Sequence, residues 1–134
     1  MTNKRVIVIG GGPAGHDAAT SAARFGADVT LIERDIVGGA AHLRDCVPSK
    51  SMIATGGALS FARRIDGMGL ANVETGVDAE HLRARIQGIE QRLEQSVTQL
   101  LTSQGVKIYR GTGRLLGPNE VCAETADGSI ELTA

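Results

Sequence analysis

Aromatic residues are nearly missing from this sequence: it has no tryptophan, one tyrosine (Tyr109) and two phenylalanines (Phe25 and Phe61) in 134 residues. The core must therefore be aliphatic. Cysteine is almost as scarce. Cys46 and Cys122 lie far apart and fit no metal-ligand spacing, and a reducing compartment would keep both as thiols, so neither a metal site nor a structural disulfide is expected. Long apolar runs are lacking as well. The longest early one, Val6 to Ile9, is too short for a signal segment or a membrane span, and glycines follow it at once. The expected location is the cytoplasm. Neither sign of charge dominates, since 14 Lys and Arg face 15 Asp and Glu and the two are interspersed, which argues against a nucleic-acid partner.

What the chain does have is glycine, 18 of them, many placed as punctuation between apolar segments. Lys4 to Ile9 ends in an unbroken β-branched run, the pattern of a parallel strand covered on both faces. A glycine turn at 10–15 leads into an alanine-rich helix that ends near Phe25 with Gly26 as its cap, and Val29 to Ile32 forms the next strand. A second helix is predicted from about His42 to the Arg63-Arg64 pair, with Pro48 kinking it or limiting its first turn. Residues 66–76 read as a loop. Asp78 is a good N-cap for the longest helix, whose apolar stripe is Leu82, Ile86, Ile89, Leu93, Val97 and Leu100 and whose end is Gly105. Val106 to Tyr109 then reads as a strand, and Gly117-Pro118-Asn119 and Ala126-Asp127-Gly128 are turn signals separating short strands near 114–116, 120–125 and 129–133, an antiparallel meander.

Glycines at 10, 12 and 15 between a buried strand and a helix, with an acid closing the following strand, form the fingerprint of a dinucleotide-binding unit. Gly10 permits the tight turn, Gly12 lets a pyrophosphate approach the backbone, and Gly15 lets helix and strand pack closely. Glu33, 18 residues beyond Gly15, can accept hydrogen bonds from ribose hydroxyls, and its charge disfavours the 2′-phosphate of NADP at this site. The unit alone leaves FAD and NAD both open.

Gly10-Gly11-Gly12-Pro13-Ala14-Gly15, Glu33, Gly38-Gly39 and Cys46-Val47-Pro48-Ser49-Lys50 together resemble the FAD-binding domain of the pyridine nucleotide-disulfide oxidoreductases, the lipoamide dehydrogenase and glutathione reductase family. The resemblance spans residues 1–134 as one FAD-binding domain, with the long helix and a Gly111-Thr112-Gly113 turn after the next strand where that family has them. It implies an α/β fold, a Rossmann-like parallel sheet with an appended antiparallel β-meander, truncated before the strand that would return to the sheet. It implies cofactor contacts from Gly10, Gly12, Pro13, Ala14, Gly15, Glu33, Arg34, Gly39, Ala40 and Gly113, and places Cys46 and Lys50 beside the flavin as catalytic candidates.

The chain departs from the family at one telling place. Members with a redox disulfide carry Gly-Gly-Thr-Cys, four residues, then Cys; here Gly38-Gly39-Ala40-Ala41 is followed by His42-Leu43-Arg44-Asp45 and Cys46. Ala41 stands where the interchange cysteine would be, so no local bridge can form. The pattern resembles the family branch of NAD(P)H:quinone reductases that lack the disulfide. That branch implies FAD as cofactor, NADH or NADPH as co-substrate, a quinone-like acceptor, and a homodimer for the complete protein. The alternatives are a lipoamide dehydrogenase-type disulfide reductase and a non-catalytic FAD- or NAD-binding fragment. Three readings stand for Cys46: a buried inert thiol, a residue that tunes the flavin, and a thiol that cycles through sulfenic acid. Cys122 reads as a small strand hydrophobe, His16 as an ordinary helix residue, and His42 as a candidate neighbour of the catalytic pocket.

Overall fold

The computed structural model describes residues 4–65, 68–69 and 75–134. Most of the loop expected at 66–76 lies outside the described residues. Strand β1 (Arg5–Ile9) leads through the glycine turn to α1 (Pro13–Arg24) and back to β2 (Asp28–Glu33), which pairs with β1 in parallel, Val8 opposite Leu31. A π-helical turn (Ala41–Cys46) runs directly into α2 (Val47–Ala62), then α3 (Ala79–Ser103) returns the chain to β3 (Lys107–Gly117). Strands β4 (Glu120–Thr125) and β5 (Gly128–Thr133) complete a five-stranded mixed sheet in the order β1-β2-β3-β4-β5.

The apolar runs of β1 and β2 are unbroken because both faces of the sheet are covered. Val6, Val8, Val29 and Leu31 face Ala19 of α1 and Val97 and Leu101 of α3. On the opposite face Ile7 and Ile32 meet Val121, Ala123 and Leu132 of the meander, together with Tyr109. Three layers result, helices on one side and the curled meander on the other.

Both long crossovers stop by the same local device. Gly26 (φ +82°) donates to the Ala23 carbonyl at 2.9 Å while Ala27 donates to Ala22 at 3.1 Å. Gly105 (φ +81°) and Val106 repeat that pattern on Thr102 and Leu101, each glycine supplying the left-handed residue that the closure demands. At its other end α3 is capped as the sequence predicts, the Asp78 carboxylate accepting the His81 backbone N–H at 2.9 Å.

Two expectations need correction. Gly111-Thr112-Gly113 is not a turn, and the strands expected at 106–109 and 114–116 are one. In β3 residues 107–110 pair in parallel with β2 and residues 111–117 pair antiparallel with β4. Glycine is needed at this bend because a Cβ on Gly111 would overlap the Glu124 carbonyl oxygen. The stripe of α3 also ends one residue later than expected: Leu101 is fully buried and Leu100 is 44% exposed. Val97 and Leu101 are spaced four apart, the row that lies along the sheet. The helix expected from about His42 is present, and of the two alternatives for Pro48 it is the limited first turn, not the kink, that the structure has. The helix starts as a π turn, and Pro48 sits in the first turn of α2, where its missing N–H falls at the change of hydrogen-bonding register.

Candidate functional site

Two loops and the bend of β3, at the carboxyl ends of the parallel strands, border a cavity of about 400 Å³. The β1–α1 turn contributes Ile9, Gly10 and Gly12, and the segment after β2 contributes Glu33, Arg34, Asp35, Gly39 and Ala40. The bend of β3, Gly111 to Gly113, closes the third side. Open α/β sheets bind ligands at this end.

The glycines divide the work as their environments dictate. Gly10 has φ +98° and donates to the Ile32 carbonyl at 2.8 Å, which ties the turn to β2. A Cβ on Gly12 would meet no atom within 4 Å, so its surface is open to the cavity. A Cβ on Gly15 would overlap the Gly10 carbonyl oxygen, which makes it a packing glycine. Gly39, at φ +87°, presses on this turn, since a Cβ there would come within 2.9 Å of Gly12 Cα and 3.0 Å of Pro13 Cδ. Helix α1 has no acidic residue in its first turn and no side-chain cap, which leaves its positive end uncompensated.

Glu33 has a second duty within the protein. Its Oε2 accepts the Gly11 N–H at 2.6 Å and its Oε1 accepts the Asp35 N–H at 2.7 Å, so the acid pins both sides of the cavity mouth. Each carboxylate oxygen keeps a further lone pair for a ligand hydroxyl. Gly113 is held between strands, where a Cβ would lie 2.9 Å from Ile9 Cγ2 and 3.4 Å from Ile32 Cδ1.

Of the predicted contacts, Gly10, Gly12, Glu33, Arg34, Gly39, Ala40 and Gly113 line the cavity. Pro13, Ala14 and Gly15 form the start of α1 behind it. Cys46 and Lys50 are outside it, exposed on the helix that departs from Ala40. The reading of Cys46 as buried is therefore corrected: the chain turns that thiol to the surface, and Cys122 in β4 is the buried cysteine. His42 is exposed beside Pro13 and His16 rather than in the main cavity. Sequence reading missed Ile9, Ile32, Asp35, Gly111 and Thr112 as lining residues. Adjacency to the glycine turn and to Glu33 was the available signal for the first three; the other two needed the bend of β3.

The segment 34–40 is braced from outside. Arg44 donates from Nη1 to both oxygens of Asp35, at 2.8 and 2.7 Å, and from Nε to Glu90 of α3 at 2.8 Å. These carboxylates, Glu90 first, hold the guanidinium pKa above its ordinary value. Arg110 of β3 donates to the Asp35 carbonyl at 3.1 Å and pairs with Glu94 at 2.8 Å. Glu94 in turn accepts the Val37 N–H at 3.4 Å.

Comparison with known proteins agrees with this architecture. Residues 4–132 match the family model of pyridine nucleotide-disulphide oxidoreductases. A dihydrolipoyl dehydrogenase of Acholeplasma laidlawii is 33% identical over 87% of this chain and 35% of its own length. An NAD(P)H dehydrogenase (quinone) of Mycobacterium tuberculosis is 35% identical over 93% of this chain and 28% of its own. The crystal structure of LpdA from Mycobacterium tuberculosis superposes with a TM-score of 0.85 at 33% identity, covering 98% of this chain and 30% of that one. The chain thus spans about a third or less of the length of these relatives. With a Rossmann-like mixed sheet, a glycine turn and an acid at the end of β2, and a family match over nearly every residue, the chain belongs to the pyridine nucleotide-disulphide oxidoreductases.

Proposed function

We propose that residues 1–134 are the FAD-binding domain of a cytoplasmic, homodimeric flavoprotein that oxidises NADH or NADPH and passes the electrons to a quinone-like acceptor. The residues present fit the cofactor. The open surface of Gly12 and the uncapped N-terminus of α1 suit a diphosphate, and Glu33 suits a ribose. Bound FAD supplies two-electron transfer between a nicotinamide and an acceptor. Backbone N–H groups of Gly12, Ala14 and Gly15 would hold the diphosphate, and Glu33 would accept from the ribose while keeping Gly11 in place. Arg34, Gly39, Ala40 and Gly113 would border the adenosine half. Cys46 and Lys50 are exposed at the start of the helix leaving the cavity, where they are free to meet the flavin half.

The observation that carries the choice of acceptor is Ala41. It opens the π turn that ends at Cys46, so this segment offers one thiol and no dithiol. A relative named NAD(P)H dehydrogenase (quinone) supports the reading. Relatives named dihydrolipoyl dehydrogenase keep a disulfide reductase as the second reading. Steady-state NADH and NADPH oxidation by the full-length protein separates them: turnover with menadione and none with lipoamide is expected. Anaerobic reduction should also stop at two electrons per flavin. Lipoamide turnover with a four-electron endpoint would overturn the quinone reading, and absence of turnover with any acceptor would reduce the domain to a binding module.

A further inference from the structure

We infer that Arg44 is a positioning residue for the cofactor, acting through Asp35 and Glu90 on the segment 34–40; this deepens the FAD reading and rests on it. That segment forms one wall of the cavity with Arg34, Asp35, Gly39 and Ala40. It contains Gly38 and Gly39 at φ +105° and +87°, and its backbone contact with the glycine turn is the 2.8 Å bond from Gly38 N–H to the Gly11 carbonyl. Ile36 and Val37 anchor the middle of the segment in the core, whereas Asp35 at its start is half exposed and the two glycines at its end leave the backbone free, so the outer edge of the wall needs a further hold. Arg44 supplies it from the π turn, gripping Asp35 through both carboxylate oxygens and anchoring itself to Glu90 on α3.

The geometry distinguishes this brace from an ordinary surface pair. Arg44 and Asp35 are each 47% exposed, and an isolated pair at that exposure contributes little. Here one guanidinium joins three elements, and the Asp35 backbone carbonyl is independently held by Arg110. Arg44 lies two residues before Cys46 on the same helical turn, so it ties the adenosine wall to the element that carries the proposed flavin-side residues. Glu90 does not line the cavity, yet it completes the brace.

The test is FAD retention by the full-length holoprotein, followed as the dissociation rate and the visible circular dichroism of the bound flavin. Arg44→Met is expected to release FAD about five to ten times faster and to alter the flavin spectrum, and Glu90→Gln about two to three times faster. Arg44→Lys, which keeps the charge without the planar fork, should fall between Arg44→Met and the parent. Arg114→Met serves as control, because it removes a comparable exposed pair with Glu124 in the meander and should change neither readout. Unchanged dissociation and spectrum in Glu90→Gln and Arg44→Lys would overturn the positioning role, even if Arg44→Met failed to fold. A parent protein that takes up no FAD would overturn the cofactor reading itself, and the proposal with it.

Discussion

Two glycines only three positions apart respond to opposite constraints. Gly12→Ala meets no protein atom, whereas Gly15→Ala meets the Gly10 carbonyl. Gly12→Ala should therefore leave the melting temperature of the cofactor-free protein unchanged while excluding FAD. Gly15→Ala should cost roughly 1–3 kcal/mol of stability and lose FAD as well. Thermal melts of both variants with and without FAD check the contrast, and equal melting losses would remove the assignment of separate roles. Glu33→Ala should weaken FAD binding by roughly 1–3 kcal/mol, the range for hydrogen bonds to a charged group. Because Glu33 also holds the Gly11 and Asp35 N–H groups, the cofactor-free protein should lose stability too. An adenosine contact alone would predict no change in that form. Much of this was legible in the sequence, since the glycine spacing and the acid after β2 are local features. The second duty of Glu33 was not, because Gly11 is brought to it across 22 residues by the pairing of β1 with β2.

Helix α3 shows where periodicity stops being informative. Leu100 and Leu101 are chemically identical neighbours, and the docking of the helix onto the sheet decides which is inside. Leu101→Ala should destabilise by about 2–5 kcal/mol, and Leu100→Ala by well under that range. Urea unfolding of the pair measures the difference. The N-terminus of the same helix is sensitive to pH. A hydrogen bond from the His81 side chain, then one from its backbone N–H, hold the Asp78 pKa below its ordinary value of 3.8. A carboxylate with a depressed folded pKa stabilises fully above its unfolded value and loses that contribution as pH falls through the folded one. Fraying of the first turn of α3 is thus expected below about pH 3.8, and Asp78→Ala should abolish the pH dependence of amide protection there, taken relative to the intrinsic exchange rate at each pH. Unaltered protection in that variant would show that the cap is idle.

At the scale of the molecule, the apolar surface is unevenly distributed. Helix α2 has no buried residue, and Met52, Ile53 and Phe61 are 56%, 73% and 59% exposed. Leu115 and Leu116 at the tip of the meander are 71% and 46% exposed. Large apolar side chains left so exposed along one helix normally pack against another surface. The 134-residue chain on its own is therefore expected to self-associate with rising concentration and to enhance ANS fluorescence. Sedimentation velocity over a concentration series tests this, and a stable monomer with no ANS response would contradict it. Among the described residues no helix is both long and apolar enough to cross a membrane.

The sequence by itself determined what depends on neighbours in the chain: the glycine turn, the Asp78 cap, the glycine closures of α1 and α3, and the presence of one thiol where a pair would be needed. Those features rest on contacts within about one helical turn or one tight loop, so spacing is enough to read them. The tertiary structure alone decided which leucine of α3 is buried, and that β3 is a single strand serving two neighbours. It also decided that Arg44, Asp35, Glu90, Glu94 and Arg110 converge on the cavity wall. Arg44 and Glu90 are 46 residues apart and Arg110 and Asp35 are 75 apart. No local pattern encodes such partners, because their meeting depends on the parallel pairing of β2 with β3 and on how α3 is laid across the sheet.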